Sequence, residues 1–136
     1  MLIDDSQEDL FLARRLLDRA GIANPVMTMN SGDDAIAFLN AATRADSDKQ
    51  LPFVIYCDVK MPAQSGFEVL EWVRSHSSLR HLPFFMLSGA DLESDKARAQ
   101  QLGATGYLAK FPTPDVFKKT IDSAQVSLGW SRSAGY

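Results

Sequence analysis

The sequence predicts an α/β domain: a parallel five-stranded sheet covered by helices on both faces. Three observations predict it. Short apolar runs alternate with longer amphipathic segments along the chain. The apolar runs are nearly continuous, as in strands buried on both faces, where half-exposed strands would alternate. Cap and turn residues, Ser6, Gly21, Ser31, Gly66 and Gly103, fall at the junctions between them.

Residues 1–3 form a strand stub that runs into Asp4 and Asp5. Ser6 caps the first helix, and Glu8 and Asp9 in its first turn complement the helix dipole. Leu10, Ala13, Leu16, Leu17 and Ala20 share one face, Arg15, Asp18 and Arg19 the other, and Gly21 closes the helix. PVMTMN is the second strand and SGDDAIAFLNAA the second helix, capped by Ser31. The polar stretch TRADSDKQL, residues 43–51, is a connecting loop or frayed helix end. Residues 53–57 are the third strand, ending against Asp58, and Phe67, Leu70 and Val73 mark a third helix that begins near Gly66. PFFMLS is the fourth strand, DLESDKARAQQLG the fourth helix and GYLAK the fifth strand. Phe117, Ile121, Ala124 and Leu128 line the last helix. The domain is expected over residues 1–128, with residues 129–136 as a frayed tail.

Composition narrows the function. A chain of 136 residues with 46% hydrophobic and 23% charged residues suits one globular domain. A net charge of -3 without a basic stripe argues against nucleic acid as the partner. The single cysteine, Cys57, excludes an internal disulfide framework and suits a reducing compartment. No apolar run approaches the roughly 20 residues of a membrane span, and no signal peptide is legible. A cytoplasmic location is expected.

In open parallel sheets, ligands gather beyond the carboxyl ends of the strands. The first strand ends in Asp4 and Asp5, the third in Asp58, the fourth in Ser88, Gly89 and Ala90, and the fifth in Lys110. A flavodoxin-like (βα)5 three-layer sandwich, strand order 2-1-3-4-5, brings these ends to one edge. Singly, each has a plainer reading: helix entry for Asp4 and Asp5, a cap for Asp58, a solvated charge for Lys110, a turn for Ser88. Together they form a chemical set. Three carboxylates repel one another unless a cation intervenes, and Mg²⁺ takes oxygen ligands and bridges carboxylate to phosphate. A carboxylate is also a nucleophile towards phosphoryl groups, with Lys110 and Ser88 placed to stabilise the transferring oxygens.

With LIDDS, DVKMPAQSGFEVL, LSG and GATGYLAK in this order, residues 2–128 resemble the receiver domain of two-component response regulators (CheY-like). The resemblance implies that Asp58 is the phosphoacceptor, charged by a sensor histidine kinase or phosphotransfer protein. It implies that Asp4, Asp5, Asp58 and the Lys60 backbone carbonyl bind Mg²⁺, with Asp5 the more direct ligand of the pair. Ser88 matches the switch hydroxyl, Tyr107 the switch aromatic and Lys110 the phosphate-binding lysine. The chain is then a signalling module, stand-alone or excised, that catalyses only its own phosphorylation and dephosphorylation. Homodimerisation through the face of the fourth helix, fifth strand and fifth helix is common in the family. The alternative is a pseudo-receiver that binds a partner without phosphorylation. A dehalogenase-type phosphatase would need an Asp where Lys60 stands, and a flavodoxin would need phosphate-cradling residues where Asp4 and Asp5 stand.

Three features depart from the family pattern. Only residues 1–3 precede the acidic pair. The family's Lys-Pro is here Lys110-Phe111-Pro112, so a cis bond is expected to move to Phe111-Pro112 or be absent. Lys60 and Ala90 stand at positions that influence acyl-phosphate lifetime, and Lys60 is read as facing solvent. Cys57, Met27, Met29, Met61 and Met86 are read as packing, and His76 and His81 as carrying no phosphate. Phe11, Trp72 and Trp130 are candidates for an interface.

Overall fold

The computed structural model describes residues 1–127. Leu128, Trp130 and the tail 129–136 lie outside the described residues. In chain order the elements are β1 (Leu2–Ile3), α1 (Gln7–Arg19), β2 (Thr28–Met29), α2 (Gly32–Ala42), β3 (Ile55–Asp58), α3 (Gly66–Ser75), β4 (Phe84–Ser88), α4 (Glu93–Gln101), β5 (Gly106–Ala109) and α5 (Pro114–Ser127). The strands are parallel in the order β2-β1-β3-β4-β5, the predicted flavodoxin-like arrangement.

Local chemistry starts the helices where the sequence suggests. Ser6 Oγ accepts the Asp9 amide at 3.2 Å and Ser31 Oγ the Asp34 amide at 3.0 Å, each satisfying a donor that the first helical turn leaves open. Gly21 and Gly103 end their helices at φ 76° and 88°, where a Cβ is disfavoured. α4 lacks a side-chain cap at Leu92 and carries a weakly apolar face.

Successive β3 residues point to opposite sides of the sheet and build two cores. Ile55 and Cys57 pack with α2 and α3 through Leu39, Val69, Leu70 and Val73. Tyr56 packs on the other side with α1 and α5 through Leu10, Leu17, Phe117 and Ile121. Its ring stacks on Phe85 at 5.4 Å and meets Phe117 edge-on at 5.1 Å, while its hydroxyl pairs with Thr120. Burial pushes the Tyr56 phenol up to about 12, against the hydrogen bond it shares with Thr120. Arg74 ties the back of α3 to two turns, donating to Gly103 O, Arg80 O and Leu82 O.

Several boundaries move. β2 covers Thr28 and Met29 rather than PVMTMN, because β1 is short and offers it few pairing groups: the ladder is Leu2↔Thr28 and Ile3↔Met29. β3 is shifted towards its carboxyl end and includes Asp58, which registers with Leu87. Met61 and Met86 are buried, and Met27, Met29 and Trp72 pack half-buried against the core. Phe11, at 60% exposure, does stand out from the surface. Among the described residues no helix is long and apolar enough to cross a membrane.

Candidate functional site

The sheet register decides what meets at its carboxyl edge. β1 pairs with β3, β3 with β4 and β4 with β5, so the residues that follow them converge. Asp4 and Asp58 are buried, 5% and 6% exposed, whereas Asp5 is open to solvent. One carboxylate oxygen from each of Asp4, Asp5 and Asp58 lies within 4.8 Å of the others. Hard oxygens at this spacing fit a divalent cation such as Mg²⁺.

Lys110 closes the group. Its amide donates to Ser88 O at 2.8 Å, fixing its backbone to the end of β4. Its Nζ lies 2.7 Å from Asp4 Oδ2, 2.8 Å from Asp9 Oδ2 and 3.2 Å from Asp58 Oδ1. Asp4 Oδ1 separately accepts the Ser6 amide at 3.0 Å. The cis peptide here is Lys110-Phe111, not Phe111-Pro112.

Asp9 is the residue that sequence reasoning placed only as a first-turn charge. A helical side chain leans towards the helix N-terminus, so the first turn of α1 carries Asp9 over the strand ends. Its position just inside the Ser6 cap was the available signal.

The loop leaving β3 is shaped by two backbone features. Ala63 adopts φ 66°, and the Gly66 amide donates to Val59 O at 2.9 Å. A Cβ on Gly66 would sit 2.1 Å from Asp58 O, so the loop closes only over a glycine. Lys60 is exposed on this loop, as expected. Ser88 and Tyr107 are not joined to the carboxylates. The Ser88 hydroxyl donates to Ala90 O at 2.6 Å and accepts the Ala90 amide at 3.1 Å. The Tyr107 hydroxyl donates to the same Ala90 O at 3.1 Å. His76 sits at the C-terminal cap of α3 beside Trp72, away from this edge.

Electrostatics follow the geometry. Burial, then the charge of Asp4, pushes the Asp58 carboxyl up to about 6, although the Lys110 ammonium opposes this. For Lys110, burial favours the neutral amine, but hydrogen bonds to Asp4 and Asp9 and the charge of Asp58 outweigh it and raise its pKa. Burial foremost, with the charges of Asp58 and Asp4, holds the Cys57 thiol well above its ordinary range. It is a packed, neutral core group.

A carboxyl raised in the folded state binds its proton more tightly there than in the unfolded chain. The resulting stabilisation is full below about 3.8 and is lost as pH rises through about 6. Asp58→Asn is therefore expected to be more stable than wild type at pH 7.5, by roughly 1–2 kcal/mol, with the gain vanishing towards pH 4. Urea unfolding at both pH values checks this, and a variant less stable at pH 7.5 would contradict it.

Comparison with known proteins gives a consistent result. The family described as response regulator receiver domain matches residues 1–122. The polar-differentiation response regulator DivK of Brucella ovis is 26% identical over 123 residues, covering 90% of this chain and 92% of its own. Among solved structures, the bacteriophytochrome response regulator AtBRR is 31% identical, with a TM-score of 0.77, covering 96% of this chain and 92% of that one. The Mn(2+)-bound form of response regulator Rcp1 is 26% identical, with a TM-score of 0.72, covering 91% and 89%.

Proposed function

The chain belongs to the response regulator receiver domain family, and from that premise we propose that Asp58 accepts a phosphoryl group and that its phosphorylation switches a partner-binding face. The observation that carries this reading is the contact of one ammonium with Asp58 and Asp4 inside an oxygen group suited to a divalent cation.

Receiver domains interact with histidine kinases or phosphotransfer proteins, and such a partner is the proposed donor here. An Asp58 carboxylate oxygen attacks phosphorus, the P–N bond to the donor histidine breaks, and the imidazole leaves with its electron pair. Asp4, Asp5, Asp58 and the Lys60 carbonyl would hold Mg²⁺. When bound, that ion would supply positive charge to offset the negative charge of the transferring phosphoryl group. That the similar response regulator Rcp1 has a Mn(2+)-bound form supports binding of a divalent cation by this chain. Lys110 Nζ neutralises a further oxygen from its position beside Asp58.

Ser88 and Tyr107 supply the switch. In the present arrangement their hydroxyls converge on Ala90 O. A phosphoryl group on Asp58 adds about two negative charges and three acceptor oxygens. Ser88 would turn from Ala90 to one of these, leaving Tyr107 to follow into the vacated space. The face of α4, β5 and α5 is thereby repacked, and a partner that prefers one packing shifts the population.

Beryllofluoride, a phosphoryl mimic, tests the reading by NMR. Saturable, Mg²⁺-dependent shifts are expected at the amides of Ser88, Ala90 and Tyr107, and none in Asp58→Asn. In Ser88→Ala the shift at Asp58 should survive while that at Tyr107 shrinks. An unchanged spectrum in excess Mg²⁺ would favour a domain that binds partners without phosphorylation.

A further inference from the structure

Lys110 has three N–H donors and meets three carboxylates, Asp4, Asp9 and Asp58, at 2.7, 2.8 and 3.2 Å. The two closest partners differ in what else they can do. Asp4 shares with Asp5 and Asp58 the oxygen group that fits a cation, and its other oxygen already accepts the Ser6 amide. Asp9 lies outside that group. Its backbone amide is tied to Ser6 Oγ, which fixes the first turn of α1 under its side chain. The Asp9–Lys110 pair is shielded, with side-chain exposures of 30% and 11%, unlike a solvated surface pair.

We propose that Asp9 is a positioning residue, whose ion pair with Lys110 holds the ammonium beside Asp58. With Asp4 committed to a cation, Asp9 is the carboxylate that remains free to anchor Lys110. One N–H then stays aimed at Asp58, where a phosphoryl oxygen arrives. Asp9 never touches the reacting atoms and acts through the lysine. Its effect on phosphorylation rests on the receiver reading; the contact itself does not.

The test compares wild type, Asp9→Asn and Glu8→Gln, the last removing an exposed charge one residue away. Asp9→Asn keeps the side-chain shape and the backbone cap, and circular dichroism verifies its fold. The ¹H–¹⁵N signal of the Lys110 ammonium, visible when its protons exchange slowly, is expected in wild type and Glu8→Gln and broadened in Asp9→Asn. Phosphate uptake from acetyl phosphate should be about tenfold slower in Asp9→Asn, with no further slowing when the change is made in a Lys110→Met background. An unchanged ammonium signal in Asp9→Asn, or equal slowing by Glu8→Gln, overturns the proposal. A wild type that takes up no phosphate, while its ammonium signal still depends on Asp9, refutes the receiver reading and supports the positioning contact.

Discussion

Gly66→Ala is expected to cost the protein about 3 kcal/mol or more of stability, the largest loss for the addition of a single methyl group. The new Cβ would meet Asp58 O at 2.1 Å and the carbonyl carbon at 3.0 Å. Both atoms are backbone, so no side chain can swing aside. Relief requires moving either the end of β3 or the start of α3, and each is fixed. Val59 donates to Leu87 O at 3.0 Å on one side, and Gly66 donates to Val59 O at 2.9 Å on the other. A shift of the melting midpoint on the order of 10 °C should follow for a domain of this size. Gly89→Ala is the control, because its Cβ would meet nothing within 4 Å and should change little. Urea unfolding of the two variants decides the matter, and equal midpoints would contradict the crowding at Gly66.

Lys110→Met is expected to remove roughly 3 kcal/mol at neutral pH and to slow phosphate uptake at least a hundredfold. Methionine fills similar space but leaves Asp4 and Asp58, both buried, facing each other without the cation between them. Breaking a buried pair from one side strands the other charge, which is why the loss exceeds that of a surface pair. The sign of its pH dependence is fixed. As pH falls, Asp58 takes up a proton, its repulsion with Asp4 disappears and the penalty shrinks; without the ammonium that holds the Asp58 carboxyl down, this begins above the wild-type value of about 6. Added Mg²⁺ should recover part of the neutral-pH loss by mass action. A penalty that is the same at pH 7.5 and pH 4, and indifferent to Mg²⁺, would contradict the role assigned to the lysine.

Most of the fold was legible because it rests on local signals that agree. Ser6 and Ser31 cap where their types predict, Gly21 and Gly103 end helices at positive φ, and continuous apolar runs mark the central strands. The outer strand β2 was less legible. Its length is set by what β1 offers for pairing, which is a tertiary matter that PVMTMN cannot express. The candidate site was legible as residue types at strand ends, since sheet topology alone sends Asp4, Asp5, Asp58 and Lys110 to one edge.

What the sequence did not carry was the third dimension of that edge. Asp9 belongs to a helix pattern that already explains it, so its place just inside the Ser6 cap did not by itself mark it as a partner of Lys110. The cis peptide lies at Lys110-Phe111, one bond before the one that the position of Pro112 suggested. The sharing of Ala90 O by Ser88 and Tyr107 is likewise invisible in the sequence, because it depends on how the loop after β4 folds.

We propose Asp58 as the group that the rest of this edge serves. Wild type incubated with acetyl phosphate and Mg²⁺, followed by borohydride reduction and peptide mass mapping, tests it most directly. One acid-stable, base-labile phosphoryl group is predicted, located at Asp58 and absent from Asp58→Asn. Incorporation that persists in Asp58→Asn, or none in wild type with Mg²⁺ in excess, would contradict it.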